Sequence, residues 1–185
     1  MSAKYDIVGI GNAIVDVLAQ TEDSFIDKYK LTKGGMALID ASKAEELYSI
    51  LNNVSEVSGG SAANTCTVLS SLGGNSAFLG KTGKDQLGKI FKKDISDNGV
   101  CFEESGFSST PTARCFVFVT PDAERTMQTF LGACADMTPD DIDQNLIERS
   151  AVTYIEGYLR DTPKAREAIL LAAGFAASAK KIVSL

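Results

Sequence analysis

The chain has 185 residues, 44% of them hydrophobic, and a formal net charge of −6. That length suits one domain with a sizeable core, and the acidic balance excludes a nucleic-acid or anionic-membrane binder, which would carry clustered basic charge. There is no histidine, so a Ser-His-Asp triad, a Cys-His pair and a His-ligated zinc site are excluded, and any acid–base work falls to a carboxylate, Lys, Tyr or Cys.

In chain order, the start MSAKYDIV has no basic-then-apolar leader, and no apolar run reaches membrane-spanning length. A cytoplasmic protein is expected. The apolar run Ile7 to Ile10 reads as a buried strand ending in a glycine turn, GIGNAIVD. A dinucleotide-binding turn would need a third glycine, but Ile14 stands in its place, and Lys28-Tyr29-Lys30-Leu31 occupies the region where an acidic ribose-binding group is expected. A nicotinamide-dependent enzyme is therefore disfavoured. Asn12 and Asp16 are placed at the carboxyl end of this strand, where open α/β sheets bind ligands. Asp accepts hydrogen bonds from neighbouring hydroxyls and Asn both donates and accepts, which suits a polyol or a ribose.

A turn-rich stretch follows with strand-like pieces, including GGMALID at 34–40. Residues 41–53 carry a helical pattern with Leu47, Ile50 and Leu51 on one face. Residues 61–72 form a second helix, with Ala62, Cys66, Leu69 and Leu72 on one side and Gly73-Gly74 ending it. NSAFLGKTG reads as a strand. Residues 85–98 form the clearest amphipathic helix, striped by Leu87, Ile90, Phe91 and Ile95. Residues 112–120 and 124–131, joined through Pro121-Asp122, read as a β-hairpin. TPDDIDQNLI is a helix start at Pro139, AVTYIEGYL a strand, and Thr162-Pro163 opens a long helix. KIVSL begins another buried strand with nothing after it to cover it, and reads either as a simple C-terminal strand or as a chain cut within its domain.

This alternation predicts an α/β fold, a mainly parallel sheet flanked by helices. The hairpin and the early turn-rich segment break the rhythm and are placed together as a small β lid, drawn from about 17–40 and 112–131. Residues 1–185 are read as one incomplete α/β domain. The four cysteines are not in CxxC spacing and are expected to be small buried hydrophobes.

The second chemical constellation is GGSAANTCTVLSSLGG, from Gly59 to Gly74. Gly59 and Gly60 lead into a helix whose start presents unpaired N–H groups, with Asn64 in its first turn. A bland glycine turn with Ser61 as N-cap explains the same residues.

GNAIVD followed by GGSAAN resembles the ribokinase-like, or PfkB, family of carbohydrate and nucleoside kinases. Gly59, Gly60, Ala62, Asn64, Gly73 and Gly83 match the spacing of its first signature. GKDQLG at 83–88 resembles its next glycine-aspartate turn, and the hairpin resembles its lid strands. Cys66 departs where Ser, Thr or Ala is usual. Asn12 before Asp16, and Ser61 where ribokinases often carry Lys, resemble the adenosine-kinase-like branch. The resemblance implies an ATP- and Mg²⁺-dependent kinase acting on a small sugar or nucleoside. Asn12, Asp16, Gly59, Gly60, Ser61 and Asn64 would bind substrate, and Glu156 in YIEGYL would line the pocket, although a solvated strand end explains Glu156 as simply. Asp85 is read as a turn cap, Arg125 as a solvated hairpin charge and Phe130 as core-facing. The family's later G-A-G-D motif, which supplies its base and anion hole, is found nowhere in the 185 residues, nor is its N-x-x-E metal motif. The expectation is a substrate-binding and lid portion that is inactive alone and lacks most ATP and Mg²⁺ groups. The alternative is a non-enzymatic module that self-associates, as a homodimer, through its lid strands.

Overall fold

The computed structural model describes residues 3–185, apart from the side chains of residues 103–105, 107 and 161. In chain order the elements are β1 (Tyr5–Ile10), β2 (Ile14–Gln20), α1 (Asp23–Lys28), β3 (Met36–Leu38), α2 (Ala41–Ile50), β4 (Ser55–Gly59), α3 (Ser61–Ser71), β5 (Ser76–Gly83) and α4 (Gln86–Asp97). Then come β6 (Cys101–Ser108), β7 (Ala113–Val119), β8 (Arg125–Phe130), α5 (Gln144–Glu148), β9 (Ser150–Ile155), α6 (Pro163–Ser178) and β10 (Ile182–Ser184).

The strands divide into two five-stranded sheets. The first runs β10-β9-β1-β5-β6 and is parallel throughout. The second runs β3-β8-β7-β2-β4 and is mixed: β2 pairs parallel with β7 and antiparallel with β4, and β7 pairs antiparallel with β8. Neither sheet closes on itself. The parallel sheet is covered on both faces, as its continuous apolar strands require. On one face α5 and α6 bury Val8, Ile10, Leu79 and Ile155 under a stripe of Ala165, Ala168, Ala172 and Ala176. The small side chains let α6 lie close. Thr162 caps it by accepting from the Ala165 N–H, and Pro163 occupies its first turn, where no N–H is needed.

On the other face α3 and α4 pack over Phe78, and this core runs on without a break into Val15, Val17, Phe116 and Phe118 of the second sheet. Burying Leu87, Phe91 and Ile95 of α4 contributes about 2 kcal/mol each by transfer from water. The second sheet is therefore anchored by one face to the body of the molecule, while its other face is open.

Several expectations change in detail. Asp16 lies inside β2, in the second sheet, rather than at the end of β1. Residues 55–59, not marked as a strand by their pattern, pair with β2 at the sheet edge. The strand expected over AVTYIEGYL ends at Ile155, and a 3-10 helix, Gly157–Asp161, carries the rest. Pro139 starts only a 3-10 turn, in which Asp141 accepts from the Thr138 N–H and makes a half-buried ion pair with Lys81, each at 2.7 Å. Asp143 then caps α5 instead. Leu72 is not on the buried side of α3 but 79% exposed, since only Ala62, Ala63 and Cys66 of that helix are buried.

Candidate functional site

Beyond the carboxyl ends of β1 and β9 the two sheets face each other across a hollow of about 520 Å³. Asn12, Gly60, Ser61 and Glu156 line it from the parallel-sheet side, with Tyr158 at its edge. Ile14, Met36, Leu38, Thr129 and Leu131 line it from the second sheet and its exits. Such a crevice, outside the carboxyl ends of parallel strands whose flanking helices lie on opposite faces, is where open α/β proteins bind small molecules.

The register explains how the second sheet presents its wall. Ile14 and Asp16 share a face of β2 by the two-residue period, and Asp16 stands opposite Cys115. Cys115 in turn stands opposite Thr129, and Thr129 opposite Leu38. Asp16 therefore lies on the same open face that bounds the hollow, one pleat further along. Burial pushes its carboxyl up from 3.8 to about 6, against the opposing charge of Arg125. Among the described residues nothing donates a hydrogen bond to it.

Glu156 is the opposite case. It is only 4% exposed, so it is not the solvated strand end that its position allows. Its Oε1 accepts from Asn12 Nδ2 at 2.6 Å. Its Oε2 accepts from the backbone N–H groups of Asn12 and Ala62, both at 3.3 Å. The second of these is a free N–H at the start of α3, where a carboxylate also complements the helix dipole.

The glycine pair before α3 serves the protein's own atoms. Gly60 has φ of +96°, and a methyl group there would run into the Asn12 carbonyl oxygen. A methyl on Gly59 would displace the Asp16 carboxylate. Asn64, exposed in the first turn of α3, is not among the hollow's lining residues.

Asp85 caps α4 and also ties down the root of β7. It accepts from the Thr112 hydroxyl at 2.6 Å, the Thr112 N–H at 2.7 Å and the Gly88 N–H at 2.8 Å. Burial pushes its carboxyl up, but these hydrogen bonds outweigh it and the net shift is downward. Phe130 is 9% exposed and belongs to the core. Arg125 is exposed on β8. The sequence reading missed Ile14, Met36, Leu38, Thr129, Leu131 and Tyr158. The alternation in MALID carried a signal for Met36 and Leu38, whereas Tyr158 follows Glu156 with none.

The hollow has a polar floor, an apolar wall and no Lys or Arg among its lining residues. Fold and site together define an α/β protein with a hollow between a parallel sheet and a second, mixed sheet. The chain belongs to the pfkB family of carbohydrate kinases, whose model matches residues 28–184. It is similar to the crystal structure of an adenosine kinase from Sinorhizobium meliloti, with 47% identity and a TM-score of 0.88, over 98% of this chain and 56% of that one. It also resembles the crystal structure of a probable sugar kinase protein from Rhizobium etli, with 43% identity and a TM-score of 0.88, over 98% of this chain and 55% of that one. Adenosine kinase 2 of Arabidopsis thaliana is 28% identical over all of this chain and 56% of its own length. The chain thus spans a little over half the length of these relatives.

Proposed function

We propose that this chain is the substrate-binding and lid portion of an ATP-dependent kinase that phosphorylates a hydroxyl of a sugar or nucleoside. The observation that carries the reading is the meeting of Asn12, Gly60, Ser61 and Glu156 around one hollow closed by the second sheet. The absence of a cation among its lining residues favours a neutral acceptor over one already phosphorylated, whose charge would face Glu156 and Asp16 uncompensated. Ile14, Met36 and Leu38 give the apolar surface that a base or a sugar's C–H face would cover. Asp16, once ionised, accepts from acceptor hydroxyls; Asn12, Gly59, Gly60 and Ser61 contact the same molecule, and Asn64 flanks it from α3. The adenosine kinases among its relatives support adenosine as the first nucleoside to try.

The family implies ATP and Mg²⁺. Among the described residues no group of three His, Cys, Asp or Glu side chains converges as metal ligands would, and a Mg²⁺ arriving with ATP would draw its remaining ligands from water and phosphate oxygens. Phosphoryl transfer needs a base or orienting group and donors for the developing charge. The 185 residues contain no G-A-G-D motif, and the chain by itself is proposed to bind acceptor without turning it over. The four free cysteines support a reducing, cytoplasmic setting.

Calorimetry with adenosine and fructose, paired with a phosphotransfer assay with ATP, tests this. Binding of either, lost in Asp16→Ala, without product formation is the expected result. Absence of binding by the unmodified chain overturns the acceptor site, and turnover by it overturns the inactivity.

A second reading rests on the same open face. Leu18, Met36 and Leu38 are 37%, 56% and 59% exposed there, and β3 and β4 are unpaired edges that a second copy could extend. Sedimentation over a range of concentrations decides whether the chain dimerises through its lid.

A further inference from the structure

Glu156 has the position of a substrate ligand and the hydrogen bonds of something else. Both its oxygens are engaged by N–H groups of the protein itself: Asn12 Nδ2 on Oε1, the Asn12 and Ala62 backbone on Oε2. The clamp joins three elements, since Asn12 follows β1, Ala62 lies in the first turn of α3 and Glu156 follows β9. The opening GIGN stretch is built around it. A methyl group on Gly11 would stand 2.5 Å from Glu156 Oε2 and 2.7 Å from the Ala62 Cβ, so only glycine leaves the carboxylate its place.

This arrangement has a chemical consequence for Asn12. A carboxylate only accepts hydrogen bonds, so the Asn12 amide must turn its NH₂ toward Glu156. Its carbonyl oxygen is then the group left for the hollow that Asn12 lines. Resting on the acceptor-site reading above, we infer that Glu156 is a positioning residue. By holding the Asn12 amide in one of its two orientations, it makes this corner of the hollow a hydrogen-bond acceptor, selective for a ligand hydroxyl that donates. Glu156 itself stays bonded to the protein and acts on the ligand through Asn12.

The assignment is tested by reversing the amide. In Glu156→Gln, the side-chain oxygen keeps the two backbone N–H groups, and its NH₂ faces Asn12, which must flip to present NH₂ to the hollow. In the double exchange Asn12→Asp with Glu156→Gln, the new carboxylate accepts from Gln and again turns an oxygen to the ligand. The probes are adenosine and its analogues in which each ribose hydroxyl in turn is replaced by fluorine, which cannot donate. Calorimetry on the unmodified chain should show, besides any position whose penalty is lost in Asp16→Asn, one position where fluorine weakens binding about tenfold, the worth of one lost hydrogen bond.

In Glu156→Gln that penalty should fall below about threefold, and in the double exchange it should return. General loosening of the site would weaken hydroxyl and fluorine probes alike and leave their ratio unchanged. An unchanged ratio in Glu156→Gln overturns the positioning role while leaving the acceptor site standing. If Glu156→Gln fails to fold, a double exchange without a fluorine penalty overturns it equally. Absence of adenosine binding by the unmodified chain, with fructose also unbound, overturns the acceptor reading and this assignment with it.

Discussion

The two sheets treat a desolvated carboxylate in opposite ways. At the carboxyl end of the parallel sheet, Glu156 is 4% exposed and accepts from three N–H groups. On the open face of the second sheet, Asp16 has no hydrogen-bond donor among the described residues, and burial lifts its carboxyl to about 6. A desolvated carboxylate supplied with N–H partners is part of the architecture. One desolvated without them is held at a cost in stability, which protonation or an incoming hydrogen-bond donor relieves. The parallel sheet is thus the fixed half of the site and the second sheet the half whose bonding is unfinished.

The contrast is most sharply broken at the glycine that joins the halves. Gly60→Ala places a side chain at φ of +96° and against the Asn12 carbonyl oxygen. A loss of about 3 kcal/mol in denaturant unfolding is expected. Next in size, Glu156→Ala strands buried N–H groups and should cost about 2 kcal/mol by the same measurement. A neutral result would show that water replaces the carboxylate and that Glu156 is not architectural.

Asp16→Asn should act in the opposite direction. The folded protein holds the Asp16 proton up to about pH 6, whereas the unfolded chain releases it near its ordinary 3.8. Between those values the unfolded state binds fewer protons, so stability falls as pH rises through the window. Removing the carboxylate should therefore stabilise the chain at pH 8 by on the order of 2 kcal/mol, with the gain gone at pH 3. Ligand affinity should run the other way. Adenosine or fructose binding that relies on ionised Asp16 should strengthen severalfold between pH 5 and pH 7 by calorimetry, and Asp16→Asn should flatten the profile. The smallest effect belongs to Leu72→Gln. At 79% exposure it should change stability by less than about 0.5 kcal/mol, although its spacing in the sequence marks it as core.

Much of this was legible in the chain because it depends on local rules. The apolar run before GIGN, the stripe Leu87, Phe91 and Ile95, the Thr162-Pro163 start and the Asp85 cap each rest on spacing of a few residues, and each appears where spacing puts it. Local rules also misread the chain where a distant partner intervened. Pro139 opened only a 3-10 turn, whose Asp141 pairs with the distant Lys81. The two-residue period of β2 carried Asp16 away from the end of β1 and onto the second sheet.

What the sequence by itself determined is the alternating α/β plan, the glycines that permit close approach, and the residue types able to hold hydroxyls. Only the tertiary structure decided that Glu156, 144 residues from Asn12 along the chain, would be buried and bonded while Asp16 would be half-buried and left wanting. The physical reason is that desolvation and hydrogen bonding belong to an environment rather than to a residue. That environment exists only after strands remote in sequence have paired.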